Sequence, residues 1–146
     1  MIRIRQMTQE DIPQVVEIER CSFSRPWSRG ALEKVVADEN ALYLAAEDTQ
    51  TGAVVGYMGA YLILDEADIN QIAVDVSYRK MGIGTQILHH FMQNLKERKI
   101  TAVTLEVRKS NTAAIALYEK CGFVTEGIRK NFYESPTEDA YIMWKR

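Results

Sequence analysis

The stretch Arg79-Lys80-Met81-Gly82-Ile83-Gly84 decides the fold of this chain, because it joins a short apolar strand to a strongly periodic helix. The strand is Ile72-Ala73-Val74, and the helix begins near Gly84. The first N–H groups of a helix have no partner inside the helix, and the helix dipole adds positive charge at the same end. Glycines let the backbone approach an anion closely, and Arg79 and Lys80 add charge. The stretch therefore predicts a cradle for a pyrophosphate.

Length and composition indicate one ordinary globular domain. The chain has 146 residues, of which 47% are hydrophobic and 26% are charged, and its formal net charge is −2. This charge argues against non-specific nucleic-acid binding, which needs a basic surface. No stretch approaches the roughly 20 apolar residues of a membrane span, and the N-terminus lacks the apolar region of a signal peptide. Cys21 and Cys121 have no metal-type spacing, so we expect a reduced cytoplasmic protein without a metal, in which both are small core residues.

Periodicity along the chain predicts an α/β domain that covers residues 1–146. The most strongly periodic segment is the helix after Gly84, whose apolar residues recur at helical spacing. Asn111 is expected to cap a later helix, and Gly122 to end it. The predicted strands of a mixed sheet are residues 1–6, 41–47, 54–64, a segment that ends near 74, 101–107, 123–133 and 140–145. No repeat, low-complexity segment or long linker divides the chain.

A second motif follows the glycine turn and indicates what the turn binds. It is the segment Asn111-Thr112-Ala113-Ala114-Ile115-Ala116-Leu117-Tyr118-Glu119-Lys120-Cys121-Gly122-Phe123. The turn, as R/Q-x-x-G-x-G/A, and this segment, as N-x-x-A-x-x-L-Y-E-x-x-G-F, together resemble the GNAT superfamily of acetyl-CoA-dependent N-acetyltransferases. The order of elements fits that superfamily over essentially the whole chain. The resemblance implies a single domain with a mostly antiparallel sheet, a parallel pair at the central cleft, helices on both faces and acetyl-CoA as co-substrate.

The resemblance also implies which residues bind acetyl-CoA. The backbone of the strand before the glycine turn is expected to pair with the pantetheine arm, and a nearby N–H to stabilise the oxyanion. Asn111 is a helix cap by position, and the resemblance adds a hydrogen bond to the cofactor. The implied cofactor-binding residues are Ile72, Ala73, Val74, Arg79, Lys80, Met81, Gly82, Ile83, Gly84, Thr85 and Asn111.

Two residues carry the chemistry that the resemblance implies. Glu106 lies in the strand before the Asn111-capped helix, where the superfamily has a general base. Without the resemblance, an acid in an apolar strand is more simply a solvated edge residue. Tyr118 lies at the position of the general acid that protonates the leaving thiolate, although its helical spacing alone predicts a core aromatic. The resemblance implies no catalytic role for a cysteine in either motif. This fits direct attack of the acceptor amine on acetyl-CoA.

Four further segments resemble the RimI branch of the superfamily, whose members acetylate the N-terminal alanine of a small-subunit ribosomal protein. They are Arg25-Pro26-Trp27-Ser28, Leu64-Asp65-Glu66-Ala67, Leu105-Glu106-Val107-Arg108 and Arg129-Lys130-Asn131-Phe132-Tyr133. The resemblance implies a protein N-terminus as acceptor and Tyr133 as a polar wall residue. Phe132 lacks a hydroxyl that the branch often has at this position. Trp27 is expected either in a loop that closes over the acceptor or in the core.

The acidic run before the cofactor strand has two interpretations. Asp65, Glu66 and Asp68 either receive a basic second residue of the acceptor or form a solvated turn. The class of acceptor also stays open, since acetyltransferases of protein lysines or of small-molecule amines would share the cofactor residues. A non-catalytic acetyl-CoA-binding module would lose Glu106 or Tyr118. The sequence predicts no direct nucleic-acid or membrane partner, and it makes no prediction of oligomeric state.

Overall fold

Residues 1–146 of the computed structural model form one seven-stranded sheet with helices on both faces. The strands are β1 (Ile2–Gln6), β2 (Ala41–Asp48), β3 (Val54–Ile63), β4 (Glu66–Val74), β5 (Ala102–Arg108), β6 (Val124–Tyr133) and β7 (Glu138–Lys145). The helices are α1 (Ile12–Ser22), α2 (Arg29–Ala37), α3 (Ile83–Glu97) and α4 (Thr112–Lys120). The elements follow in the predicted order. The run Asp65-Glu66-Ala67-Asp68 is predicted as a polar connection before this strand, but β4 already begins at Glu66 and includes Ala67 and Asp68.

The strands follow the order β1-β2-β3-β4-β5-β7-β6 across the sheet. All neighbours are antiparallel except β4 and β5, which run parallel. The pairing of β4 with β5 ends at Ile69, which lies opposite Leu105. Residues 70–74 of β4 and 106–108 of β5 no longer pair with each other and are free to line a cleft. The predicted parallel pair at the centre of a mostly antiparallel sheet is confirmed.

Two apolar clusters hold the helices against the sheet, one beneath α3 and α4 and the other beneath α1 and α2. The buried residues of α3 recur at helical spacing, as the sequence predicts, and are Ile83, Ile87, Leu88, Phe91 and Leu95. Side-chain caps fix the starts of two shorter helices. Ser28 Oγ accepts from the Ala31 N–H (3.1 Å), and Asn111 Oδ1 accepts from the Ala114 N–H (3.1 Å). A cap of this kind contributes about 1 kcal/mol, so both helix starts are well defined.

The structure shows where the two cysteines lie and whether any side-chain cluster or helix could hold a metal ion or cross a membrane. Cys121 is partly buried against the apolar cluster, but Cys21 is exposed, so its prediction as a core residue is wrong. Cys21 lies off the buried stripe of α1, which consists of Ile12, Val15, Ile18 and Glu19. No three His, Cys, Asp or Glu side chains come together in a way that could hold a metal ion. None of the helices combines the length and the apolar character needed to cross a membrane.

Candidate active site

A cavity of about 670 Å³ opens where β4 and β5 separate. Its walls come from the α1–α2 connection, the second half of β4, the end of β5, α4 and the end of β6. Of the residues that the sequence singled out, it brings together Trp27, Asp68, Ile72, Glu106, Asn111, Tyr118 and Tyr133. A cavity of this size is typical of small-molecule sites. The acid, base and wall candidates therefore surround one volume.

Glu106 reaches the cavity because side chains alternate along β5. Leu105 and Val107 point into the core, which leaves Glu106 on the opposite face of the sheet. The strand lies inside the sheet between β4 and β7, and Glu106 lies at the point where β5 separates from β4. Its side chain is 26% exposed, and its Oε1 lies 3.4 Å from Nε of Arg129 on β6. The structure thus holds a carboxylate at the cavity wall beside one cation.

A second carboxylate, that of Asp68, lies near Glu106 on the neighbouring strand. Asp68 pairs in register with Thr104, two residues before Glu106, so both acids lie on the same face of the sheet. Burial raises the pKa of Asp68, and the negative charge of Glu106 raises it further, whereas Arg129 acts in the opposite direction. This end of the cavity therefore favours a positively charged or proton-donating group.

Tyr118 is both a core residue and a cavity residue. It is almost fully buried on α4, and its ring packs against Phe123 with centroids 5.7 Å apart. Burial raises the pKa of Tyr118 well above the ordinary value, and the neighbouring Tyr133 adds to the increase. A phenol in this state keeps its proton at neutral pH, which is the form that a proton donor requires.

The glycine turn forms the second part of the site, at the start of α3. Gly82 is the N-cap residue with a φ of 78°, and Lys80 has a φ of 64°. The backbone N–H groups of residues 79–85 donate no hydrogen bond within the chain. Free N–H groups at a helix N-terminus form an anion-binding concavity. A Cβ at Gly82 would meet no atom within 4 Å, so the backbone angle, not lack of space, is what favours glycine.

The side chains of the turn differ in the contacts that they already make within the protein. Arg79 braces the turn, because its Nε donates to the Val74 carbonyl (3.0 Å) and its Nη2 donates to Ser22 Oγ (3.2 Å). Ile83 is buried and anchors the start of the helix in the core. The other exposed residues of the turn, besides Arg79, are Lys80, Met81, Gly82 and Thr85. Lys80 is therefore the basic side chain that the fold leaves available to a ligand.

The free edge of β4 joins this turn to the cavity. Ile72, Ala73 and Val74 pair with β3 on one edge. They have no strand on the other edge, because the pairing with β5 has already ended at Ile69. An extended ligand chain can add to such an edge through main-chain hydrogen bonds. An open strand edge therefore extends from Ile72 in the cavity wall to Val74, and the glycine turn follows it along the chain.

Two segments that are distant in sequence close the cavity on a further side. The α1–α2 connection contributes Trp27, whose ring packs against Tyr43 with centroids 6.3 Å apart. The end of β6 contributes Tyr133, and burial raises the pKa of this phenol to about 12. An ion pair of 2.8 Å between the exposed Arg25 and Glu134 joins the two segments. Trp27 thus belongs both to the cavity wall and to the apolar cluster beneath it.

Two residues predicted to contact the acceptor lie outside the cavity. Asp65 and Glu66 are exposed where β3 turns into β4, and the Asp65 carbonyl accepts from the Thr101 N–H (2.8 Å). The cavity begins at Asp68 on this strand. The structure therefore places Asp65 in a solvated turn and brings only Asp68 of this acidic run to the site.

A buried polar cluster lies under the cavity and was not predicted from the sequence. Glu19 is fully buried on α1 and accepts hydrogen bonds from Tyr57, from the backbone N–H of Trp27 and from Gln71. One signal for it was available in the sequence. Glu19 lies four residues after Val15 on the apolar stripe of α1, where an acid is unexpected. Gln71 gave no signal, because its contact depends on the folded sheet.

Comparison with known proteins identifies the family. The model of the acetyltransferase (GNAT) family matches residues 12–123. The chain belongs to this family. The acetyltransferase is 38% identical over 146 residues to the ribosomal protein bS18-alanine N-acetyltransferase of Escherichia coli strain K12, with 98% of this chain and 96% of the relative covered. It is 36% identical over 135 residues to the enzyme of the same name from Salmonella typhimurium, with 91% and 89% covered.

A solved structure gives the same result. The crystal structure of the ribosomal-protein-S18-alanine N-acetyltransferase from Escherichia coli superposes with a TM-score of 0.92 at 35% identity, covering 99% of this chain and 92% of that one. The protein is therefore an acetyl-CoA-dependent N-acetyltransferase. Its own geometry fits the co-substrate, since unpartnered N–H groups suit a pyrophosphate and an open strand edge suits the pantetheine arm.

Proposed function

We propose that this acetyltransferase modifies the N-terminal α-amino group of a protein, and that its natural acceptor is the N-terminal alanine of ribosomal protein bS18. The observation that carries the proposal is the cavity in which Glu106 and Tyr118 lie beside a strand edge open to acetyl-CoA. The relatives named for this alanine match nearly the whole chain, which supports the choice of acceptor. An acceptor of the ribosome places the enzyme in the cytoplasm.

Glu106 is the proposed general base and Tyr118 the proposed general acid. Glu106, directly or through a water molecule, takes a proton from the acceptor's amino group, and the nitrogen forms a bond to the acetyl carbon. A free N–H at the β4 edge stabilises the negative charge on the carbonyl oxygen. Tyr118 gives its proton to sulfur as the carbon–sulfur bond breaks, so that coenzyme A leaves as a thiol. Acetyl-CoA supplies the acetyl group as a thioester, and no acyl-enzyme forms.

The glycine turn and the β4 edge hold acetyl-CoA in this proposal. The N–H groups of residues 79–85 bind the pyrophosphate, and Lys80 adds a positive charge. Arg79 contributes by bracing the turn. The backbone of residues 72–74 pairs with the pantetheine arm, and the amide of Asn111 adds a hydrogen bond while its oxygen caps α4.

The chemistry of amines favours an N-terminus over a lysine as acceptor. Only a neutral amine attacks, and an α-amino group with a pKa near 7.7–8.0 is roughly 10–15% neutral at pH 7. A lysine side chain with a pKa near 10.4 is only about 0.04% neutral at the same pH. A single carboxylate base such as Glu106 therefore serves an N-terminus far more easily than a lysine.

The walls of the cavity suit the start of a basic peptide. Trp27 and Tyr133 enclose the first residue, and Asp68 receives a positively charged side chain at the second position. Asp68 takes the place of Asp65 and Glu66 here, because only Asp68 reaches the cavity. Its neighbour Glu106 adds negative charge at the same end.

A comparison of two peptides tests the proposal. One begins Ala-Arg with a free amino group, and the other has a blocked N-terminus and internal lysines. We expect acetylation of the first peptide at its α-amino group, well ahead of the second, as located by fragment-level mass spectrometry. Dominant acetylation of lysine, or of a free polyamine added as a third acceptor, would contradict the N-terminal acceptor.

A further inference from the structure

A bulge in β4 turns Gln71 towards α1. Two consecutive residues of β3 lie opposite Gln71 and Ile69, so Asn70 between them is an extra residue in the strand. An extra residue interrupts the alternation of side chains and re-aims its neighbours. The amide of Gln71 consequently meets Glu19, and its Nε2 lies 3.0 and 3.1 Å from the two carboxylate oxygens.

Glu19 fixes which side of this amide faces α1. The carboxyl group is fully buried, and it also accepts hydrogen bonds from the Tyr57 hydroxyl and the Trp27 backbone N–H (2.7 Å). Burial raises the pKa of Glu19, and the hydrogen bonds from Tyr57, Trp27 and Gln71 offset part of this increase. A backbone N–H can only donate, so Oε1 of Glu19, which the Trp27 N–H contacts, is an acceptor, and it selects the NH₂ side of Gln71.

The carbonyl side of the same amide is left free at the cavity. Gln71 lines the cavity, and its Oε1 accepts no hydrogen bond within the chain. Among buried side-chain polar atoms, only Nδ2 of Asn70 lacks a hydrogen-bond partner. Oε1 of Gln71 also lacks a partner but is not among these buried atoms, so it is accessible to a ligand. The bulge and the buried carboxylate together present a fixed, neutral hydrogen-bond acceptor to whatever occupies the cavity.

We propose that Gln71 is a further acceptor-binding residue, whose Oε1 accepts an N–H of the acceptor's amino group, and that Glu19 is the positioning residue that aims it. This inference rests on the proposed function, because it requires a primary amine in the cavity. A primary amine must direct its lone pair at the acetyl carbon while its N–H groups face acceptors. Glu106 takes one N–H and Gln71 the other. A neutral amide orients the amine without the negative charge that would favour the unreactive ammonium form.

The test combines a variant with a change in the substrate. Gln71→Met keeps the approximate size of the side chain and leaves Glu19 with two other donors. Two peptides are compared, one beginning with alanine and one with N-methylalanine, whose neutral amine has only one N–H. One hydrogen bond is worth roughly 0.5–1.5 kcal/mol, which corresponds to a two- to tenfold change in rate. We expect the wild-type preference in kcat/KM for the alanine peptide to fall by roughly that factor in Gln71→Met.

Two further variants complete the experiment. Gln14→Met is the matched control, because Gln14 lies outside the cavity on α1 and its Oε1 accepts from the Val54 N–H (2.9 Å). It should keep the wild-type preference. Glu19→Gln should lower the preference as Gln71→Met does, with the KM for acetyl-CoA unchanged, because the new amide lets Gln71 reverse its orientation.

The outcomes separate this inference from the proposed function. If the wild type acetylates the alanine peptide and folded Gln71→Met keeps the full preference, the assignment of Gln71 is wrong. Should Gln71→Met fail to fold, an unchanged preference in Glu19→Gln overturns the assignment instead. If the wild type acetylates no α-amino group, the proposed function fails before Gln71 is tested.

Discussion

The two halves of the cleft are built from different parts of the chain. The proposed cofactor half is residues 72–85, a continuous segment that offers a strand edge and free backbone N–H groups. The proposed acceptor half consists of side chains that come from several separate elements, from Arg25 in the α1–α2 connection to Glu134 after β6. The first half depends on local backbone geometry and the second on the folded sheet. Such a division lets the acceptor change through a few side chains while acetyl-CoA binding is preserved.

The largest effects are expected where the halves meet, at Glu106 and Tyr118. Glu106→Gln and Tyr118→Phe should each lower kcat by roughly 10²–10⁴-fold, because each removes a general base or acid. Acetyl-CoA affinity in Glu106→Gln should stay close to that of the wild type, since the cofactor half is untouched. Steady-state kinetics and acetyl-CoA titration measure the two quantities. Glu66→Gln, an exposed acid outside the cavity, is the control and should change neither.

A variant with nearly normal turnover would assign that residue to structure alone. For Tyr118 this outcome would mean that its packing against Phe123 is its main contribution. For Glu106 it would make Asp68, the other carboxylate near it in the cavity, the candidate for the general base. Either result would mean that the acid–base chemistry is carried by another residue of the cleft.

The fold and the open backbone of residues 72–85 could be predicted because their causes are local. The period of α3, the cap at Asn111 and the glycine turn before α3 each depend on residues within a few positions of one another. The single parallel pair and the unpaired edge at residues 72–74 then follow from the order of elements that the resemblance supplied.

The acceptor half could not be predicted to the same depth, because its contacts are long-range. The orientation of Gln71 depends on a bulge opposite β3 and on Glu19, which lies 52 residues earlier. The acidic run shows the same limit, since a shift of a few residues along β4 decides that Asp68 lines the cavity and Asp65 does not. Cys21 was misassigned because a short apolar residue alone does not reveal which side of α1 it occupies.

An intermediate effect is expected for the backbone of the cofactor half. Gly82→Val places a β-branched residue at a φ of 78°, a strain of roughly 1–3 kcal/mol. The turn can relieve this strain by leaving the geometry that binds the anion, and binding must then restore it; we therefore expect acetyl-CoA affinity to fall about tenfold or more, since each 1.4 kcal/mol is a factor of ten. The rise in melting temperature caused by acetyl-CoA should consequently shrink or vanish.

The matched control for this variant is Gly52→Val. Gly52 has a φ of 77°, a Cβ there would meet no atom within 4 Å, and the residue lies in the β2–β3 turn outside the cavity. Both variants should lose similar stability without ligand, but Gly52→Val should keep the full acetyl-CoA shift. An equal shift in both variants would show that the phosphates bind away from the start of α3.

The smallest effect is expected for the ion pair that joins the two segments of the acceptor half. Arg25 and Glu134 are 69% and 63% exposed. An exposed pair contributes about 0–1 kcal/mol, so Arg25→Gln should raise the KM for the acceptor peptide by at most about fivefold. The effect should fade at high salt, because screening weakens exposed pairs. The kcat and the KM for acetyl-CoA should not change, since neither the acid–base pair nor the cofactor half is touched.

Arg29→Gln is the control for this last comparison, because its exposed pair with Glu33 lies along α2, away from the cavity. It should leave the peptide KM unchanged at every salt concentration. A peptide KM raised by more than about tenfold in Arg25→Gln would mean that the pair does more than hold two segments together. A parallel rise in the KM for acetyl-CoA would contradict the separation of the cleft into two independent halves. The halves would then be coupled through the α1–α2 connection.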